Sequence, residues 1–217
     1  STTKALEQAL TKVDKADSVV QITRALKDGM IELRSLPKDP YRPILQVGIV
    51  GEIYTVLEPF VNFRLEEQLG EMGVVVRREI WFSEWILHHI VLSVLRSRRI
   101  AKLRQLSSPY LNHFVGGHGL ESVGHTVQLA QEGVDGVIHI LPFTCMPEIV
   151  AQSVLPVVSQ DYHLPILTIV IDEHSAMAGV RTRLEAFVDL LYNRRQEGRK
   201  RPTQGVRASD LVLARST

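Results

Sequence analysis

The sequence has 217 residues, an ordinary globular composition and almost no net charge. It contains 25 Lys and Arg against 24 Asp and Glu, giving +1, with 45% hydrophobic and 23% charged residues. This composition excludes a disordered or fibrous chain, and a chain of this length can bury about 70% of its unfolded surface. A nucleic-acid-binding domain would carry a concentrated basic face, so the charge balance argues against that class of partner.

Length and cysteine content also argue against a membrane or disulfide-bonded protein. The longest apolar runs, Trp85–Leu95 and Leu164–Ile171, are much shorter than the ~20 residues that a membrane-spanning helix needs. No basic-then-apolar leader opens the sequence. A single cysteine, Cys145, excludes an internal disulfide. We therefore expect a cytoplasmic protein.

Residues 1–44 are predicted to form a helical arm and a proline-rich connector. Apolar residues recur at helical spacing over Ala5–Leu36, which predicts two helices, or one helix broken near Asp17. Three prolines then end any helix and stiffen the chain. They are Pro37, Pro40 and Pro43.

Residues 45–196 are predicted to form an α/β domain, and residues 197–217 a flexible basic tail. The predicted strands are Leu45–Val50, Val74–Arg78, Gly136–Leu141 and Ile166–Ile171. The predicted helices are Glu58–Met72, a long helix from Ser83, Leu120–Glu132, Pro147–Val158 and Val180–Arg195. This alternation predicts an open three-layer domain with a parallel sheet of about four strands.

Ionisable residues follow three of the predicted strands. They are Glu52, Cys145, Glu148, Asp172 and Glu173. Open parallel sheets bind ligands at the carboxyl ends of their strands, and unpaired buried charge is costly, so this cluster indicates a site. The alternative is that the carboxylates cap helices and form ion pairs with Arg181 and Arg183.

Cys145 has two interpretations. A lone cysteine is often only a small buried apolar side chain. However, Cys145 lies in a loop between Pro142 and Pro147, at the start of a predicted helix whose dipole favours a thiolate. Such a thiolate acts as a nucleophile, with His139 or His174 as the base, or as a metal ligand that needs companion cysteines from elsewhere.

Other motifs give weaker signals. Four histidines lack any HExxH or CxxC context, which argues against a zinc site. They are His88, His89, His118 and His125. Gly48 and Gly51 form a G-x-x-G without a following Gly-Lys-Ser/Thr, so a nucleotide-binding loop is not predicted.

Four segments at the predicted strand ends occur in a recognisable order. They are Val47–Tyr54 (VGIVGEIY), Ser83–Trp85 (SEW), Gly136–Glu148 with PFTCMPE at its end, and Asp172–Glu173 followed by Gly179–Phe187 (GVRTRLEAF). Together they resemble the C-terminal domain of the 2-hydroxyacyl-CoA dehydratase family and its relatives, the CoA-substrate-specific enzyme activase-related proteins. The resemblance extends over about residues 42–195.

This resemblance implies an iron–sulfur function. Members of the family hold a [4Fe–4S] or related cluster with cysteines from neighbouring α/β domains, and one of these ligands is similar to Cys145. An ATP-dependent activator supplies low-potential electrons for the radical dehydration or reduction of acyl-CoA-type substrates. The matched motifs further imply a catalytic site that contains Glu52, Glu148, Asp172, Glu173 and Arg183.

The sequence contains only one of the cysteines that such a cluster needs. We therefore expect a domain or subunit that contributes Cys145 to a cysteine-bearing companion and has no activity alone. Two alternatives stay open. One is a non-catalytic interaction module that forms a homodimer through the helical arm and the Trp81–Leu95 region. The other is a cluster-free domain that binds acyl-CoA or another small ligand.

Overall fold

A computed structural model describes residues 2–37, 44–79 and 98–200. Most of the proline connector and the part of the predicted helix between Ser83 and residue 97 lie outside these residues. The last part of that predicted helix is helical over Arg98–Ser107. The chain divides into two compact units, Ser1–Pro43 and Ile44–Thr217.

The first unit is a pair of helices, α1 (Thr2–Asp14) and α2 (Val19–Ser35). The predicted break near Asp17 is confirmed, because Ser18 begins α2 as its N-cap and its hydroxyl accepts a hydrogen bond from the Gln21 N–H at 3.3 Å. The buried residues of the two helices are small, which lets the helix backbones approach closely. They are Ala5, Ala9, Ala25 and Gly29.

The second unit alternates strands and helices along the chain. Its elements are β1 (Leu45–Gly51), α3 (Ile53–Leu57), α4 (Leu65–Glu71), β2 (Val74–Arg78), α5 (Arg98–Ser107), α6 (Gly119–Gln131), β3 (Gly136–Pro142), α7 (Met146–Asp161), β4 (Ile166–Ile171) and α8 (Met177–Lys200). The four strands form one sheet in the order β2-β1-β3-β4. All three pairings are parallel. The predicted α/β fold with a parallel sheet and N-terminal helices is therefore confirmed.

Apolar side chains cover both faces of this sheet. On one face Val47 and Ile49 of β1 belong to a core that includes Leu184 and Phe187 of α8. On the other face Val50 and Val137 pack with Leu129 of α6. A further cluster joins α6 to α7 through Val123, Val127, Ala151 and Leu155. Because side chains of a strand alternate between faces, this arrangement gives three layers with the sheet in the middle.

The predicted helix over Glu58–Met72 is wrong in its first half, because the chain forms turns until α4 begins at Leu65. Phe63 and Arg64 have φ values of 55°, which no right-handed helix contains. Buried Asn62 explains the turn: its Nδ2 donates to the Thr55 and Val56 carbonyls, and its Oδ1 accepts from the Leu65 N–H. The apolar spacing gave no sign of these side-chain contacts.

The last helix is longer than predicted. The sequence predicts a helix over residues 180–195, whereas α8 begins at Met177 and continues to Lys200. The first residues of the predicted tail over 197–217 are therefore helical. The remainder of that tail lies outside the described residues.

Candidate functional site

The carboxyl ends of β1, β3 and β4 meet at one edge of the sheet, and backbone hydrogen bonds join the loops that leave them. The Glu52 N–H donates to the Ile140 carbonyl at 3.1 Å, which ties the end of β1 to β3. The Phe143 N–H donates to the Ile171 carbonyl at 2.7 Å, which ties the β3 loop to the end of β4. Parallel pairing therefore places the loops with Glu52, Cys145 and Asp172 side by side.

Glu52 caps the short helix α3. Its Oε1 accepts a hydrogen bond from the Tyr54 N–H at 3.0 Å, and its Oε2 accepts one from the Thr55 N–H at 2.9 Å. These contacts satisfy N–H groups that have no partner inside the helix. Gly51 makes the turn into this cap with φ of 140°, a conformation that favours glycine. Glu52 remains partly exposed.

Cys145 lies at the N-cap position of α7 and its side chain is partly exposed. The loop before it turns sharply, because Thr144 has φ of 71° and the Cys145 N–H donates to the Pro142 carbonyl at 3.2 Å. The Cys145 carbonyl then accepts the Ile149 N–H at 2.9 Å, the first hydrogen bond of α7. The thiol is therefore neither enclosed in the apolar core nor on a loose loop.

Burial is the main cause that raises the pKa of the Cys145 thiol above its ordinary value. The negative charges of Glu148 and Glu52 add to this rise, and the backbone N–H of Glu148 opposes it. Burial and these two carboxylates therefore oppose the thiolate that the start of a helix favours.

Glu148 is fully buried three residues after Cys145, where it joins three elements of the fold. The Ser122 hydroxyl of α6 donates to Glu148 Oε1 at 3.1 Å, and His139 Nε2 of β3 lies 2.8 Å from Glu148 Oε2. Ser122, His139 and Glu148 all have 0% exposure. The other ring nitrogen of His139, Nδ1, is buried and has no hydrogen-bond partner in the described part of the chain.

The glycine-rich loop at Gly116–Gly119 packs against Pro147, which lies in the first turn of α7. A Cβ on Gly119 would lie 2.2 Å from the Pro147 carbonyl oxygen, which is far inside any allowed contact. Gly119 is the first residue of α6, so only glycine lets the starts of α6 and α7 come this close. The sequence indicated a loop at Gly116–Gly119 but not its contact with the Cys145 turn.

Asp172 and Glu173 occupy the turn after β4. The Ser175 hydroxyl donates to Asp172 Oδ1 at 2.7 Å, and the His174 N–H donates to the same oxygen at 3.0 Å. The Ser175 hydroxyl is the main cause that lowers the pKa of Asp172. Glu173 is exposed, with His174 Nε2 3.7 Å from its Oε1. These contacts are those of a surface turn, and none of them reaches Cys145.

Arg183 and Arg181 of α8 also have contacts of their own. Arg183 Nη2 donates to the Thr168 carbonyl of β4 at 2.6 Å. Arg181 pairs with Glu185 at 3.0 Å and with Glu71 at 3.7 Å. In the described residues the structure therefore brings together Cys145, Glu148 and Glu52, and it gives Arg183 a contact with the sheet backbone.

Neither histidine proposed as a base contacts the thiol. His139 Nε2 binds Glu148, and His174 lies on the exposed turn beside Glu173. Ser122 was missed by the sequence analysis, because it lies 26 residues from Glu148 and no local motif marks it. The pairing of a histidine with Cys145 for nucleophilic catalysis has no geometric support among these contacts.

Large apolar side chains are exposed on both sides of Cys145. Phe143 is 65% and Met146 67% exposed in the Cys145 loop, and Tyr54 is 62% exposed just after Glu52. Exposed aromatic and methionine side chains are enriched at protein interfaces. We call Tyr54, Phe143 and Met146 the apolar rim of the Cys145 site.

The donor set of this chain does not fit a complete metal centre. Within residues 2–37, 44–79 and 98–200, no three His, Cys, Asp or Glu side chains come together as a metal-binding group. A four-iron cluster is held by four thiolates, and the sequence holds one cysteine. The partly exposed sulfur fits the contribution of one ligand only.

Comparisons of the chain with known protein families, with curated proteins and with solved structures found no match. None of the helices within the described residues combines the length and apolar content that a membrane span requires.

Proposed function

We propose that the α/β unit contributes Cys145 as one ligand to an iron–sulfur cluster that a cysteine-bearing companion domain or subunit completes. The system would be a low-potential reductase or dehydratase for acyl-CoA-type substrates, supplied with electrons by an ATP-dependent activator. The proposal rests on the motif resemblance over residues 42–195. The observation that carries it is a single, partly exposed thiol at the carboxyl edge of a parallel sheet.

The apolar rim supports a companion at this edge. Phe143 and Met146 lie on either side of Cys145 in the chain and expose about two-thirds of their surface. A companion that covers these two side chains would exclude water from the surface around the Cys145 sulfur. Docking and ligation would therefore occur together, as an incomplete ligand set requires.

The raised pKa of Cys145 has a consequence for this docking. A thiol must lose its proton to become a ligand, so binding of iron releases a proton and is favoured by higher pH. Burial and the Glu148 and Glu52 charges raise the pKa of this thiol and so oppose its deprotonation. When bound, the cluster would supply low-potential electrons. The residues of this chain would hold the ligand and exclude water.

Anaerobic reconstitution tests the proposal. The tagged chain is isolated anaerobically with cysteine-containing polypeptides that accompany it, treated with ferrous iron and sulfide, and assayed for both elements and for visible absorption. We expect a brown complex with bound iron and sulfide. The Cys145→Ser variant loses the colour, whereas the matched Ser153→Ala variant, altered at an exposed position of α7, retains it.

Alkylation provides a second readout in the same experiment. Cys145 is the only thiol of the chain, so mass spectrometry of this chain after iodoacetamide treatment reports on one site. Protection of Cys145 in the complex, but not in the free chain, is expected. A colourless complex contradicts the proposal, and so does a coloured complex that forms equally well with the Cys145→Ser variant.

A second candidate function, a homodimerisation module, is favoured by the first unit. The helices α1 and α2 contact each other through small residues and leave larger apolar side chains about half exposed. These are Leu6, Leu10, Leu26 and Met30. A second copy of the hairpin would cover them in a four-helix arrangement. Light scattering tests this candidate: a dimer that Leu10→Glu converts to a monomer supports it, and a monomeric wild-type chain excludes it.

A further inference from the structure

The first turn of α7 is held from inside the protein by the carboxylate of Glu148. The Ser122 hydroxyl reaches one oxygen from α6, and His139 Nε2 reaches the other from the central strand β3. Hydrogen bonds between buried, fully enclosed groups are costly to break, because water does not replace the lost partner. Glu148 therefore links α7 to two elements that do not themselves carry Cys145.

Cys145 is one turn before this link. It occupies the N-cap position, and its carbonyl accepts the Ile149 N–H at 2.9 Å. The position of the sulfur therefore depends on where the first turn of α7 lies. The close contact between Gly119 and the Pro147 carbonyl limits movement of the same turn toward α6.

Burial determines which role Glu148 can have. Its side chain has 0% exposure, and both of its oxygens are engaged inside the protein. A substrate at the exposed edge of the sheet does not touch a carboxylate in this position. Glu52 differs, because its side chain is partly exposed at that edge while it caps α3.

We infer that Glu148 is a positioning residue, whose link to Ser122 and His139 fixes the first turn of α7 and so holds the Cys145 sulfur at the apolar rim before any companion binds. This inference concerns the site of the proposed function and rests on that function for its purpose. Its test needs only the chain itself. A failed reconstitution and a failed test of Glu148 are therefore separate results.

The test measures alkylation of the only thiol by iodoacetamide across a range of pH. The plateau at high pH gives the rate constant of the fully formed thiolate, which reports how the sulfur is held and reached. Glu148→Gln keeps the size of the side chain and a hydrogen-bonding group at both positions. Glu148→Ala removes both contacts and leaves Ser122 and His139 without them.

We expect the plateau rate constant of Glu148→Ala to rise at least about tenfold, the factor that loss of one typical buried hydrogen bond corresponds to. For Glu148→Gln we expect the wild-type value within about twofold, since the amide preserves the link. The control is Leu155→Ala, a fully buried residue two turns further along α7. It destabilises the same helix without touching the link, and should leave the plateau unchanged.

Two results would overturn the inference. One is an unchanged plateau in Glu148→Ala, which means that the carboxylate does not hold the sulfur. The other is an equal rise in Leu155→Ala, which means that any loosening of the core has the same effect. If Glu148→Ala does not fold, as judged by circular dichroism, Ser122→Ala replaces it. That variant removes one contact and should give a smaller rise, so a wild-type plateau there refutes the inference as well.

Discussion

Breaking the buried Glu148–His139 pair should cost more stability than removing both members. In Glu148→Met the His139 imidazole keeps no partner, because its Nδ1 already lacks one among the described residues. In His139→Leu the carboxylate keeps only the Ser122 hydroxyl, in a place with 0% exposure. Each single variant therefore leaves a buried polar or charged group without its main partner, at a cost of about 3–5 kcal/mol.

The double variant removes both of these groups at once. The Ser122 hydroxyl is not left without a partner, since a serine inside a helix can donate to a carbonyl one turn earlier. Replacement of a buried pair by apolar side chains of similar volume is often close to neutral. We expect the double variant to lose less stability than either single one, with a coupling free energy of at least about 2 kcal/mol between the two positions.

Urea unfolding followed by far-ultraviolet circular dichroism measures these free energies by linear extrapolation. The control cycle combines Leu155→Ala and Leu184→Ala, two buried residues in separate clusters on opposite faces of the sheet. Their effects should add within about 0.5 kcal/mol. If the effects of Glu148→Met and His139→Leu add equally well, the two side chains do not form an energetically coupled pair and the reasoning is refuted.

Three further predictions concern the same unit. Glu52→Gln removes a negative charge that raises the pKa of Cys145, so the pH profile of iodoacetamide alkylation should move to lower pH; an unmoved profile would contradict that charge effect. Ser175→Ala removes the main contact that lowers the pKa of Asp172, so this pKa, followed by carboxyl-carbon NMR, should rise. A pKa that is lower in the folded than in the unfolded state stabilises the fold when the pH is above the unfolded-state value. This stabilisation is lost as the pH falls through the folded-state pKa. The free energy of unfolding of the variant, which lacks this contribution, should therefore decrease less on acidification. Gly119→Ala should destabilise the chain by about 1–3 kcal/mol through its clash with the Pro147 carbonyl. The control Gly70→Ala, where an added Cβ meets no neighbour within 4 Å, should stabilise the chain by about 0.5–1 kcal/mol. Equal urea midpoints for the two variants would contradict this.

The strands and the fold class could be predicted because their signals are local. Short apolar runs, separated by segments with helical spacing, predicted β1, β2, β3 and β4 almost to the residue. Parallel strands share one carboxyl edge, so the meeting of the Glu52, Cys145 and Asp172 loops also followed from chain order. The first half of the predicted Glu58–Met72 helix is replaced by turns because the Asn62 side chain binds backbone groups there. The spacing of apolar residues contains no information about such contacts.

The amino-acid order by itself determined a parallel α/β unit, its helical arm and the place of the lone thiol at the edge of the sheet, since periodicity and chain direction are properties of neighbouring residues. Only the tertiary structure decided the surroundings of that thiol. The rise of the Cys145 pKa comes from burial and from carboxylates that follow different strands. The link from Glu148 to Ser122 and His139 joins three elements, and such contacts exist only after those elements have packed together.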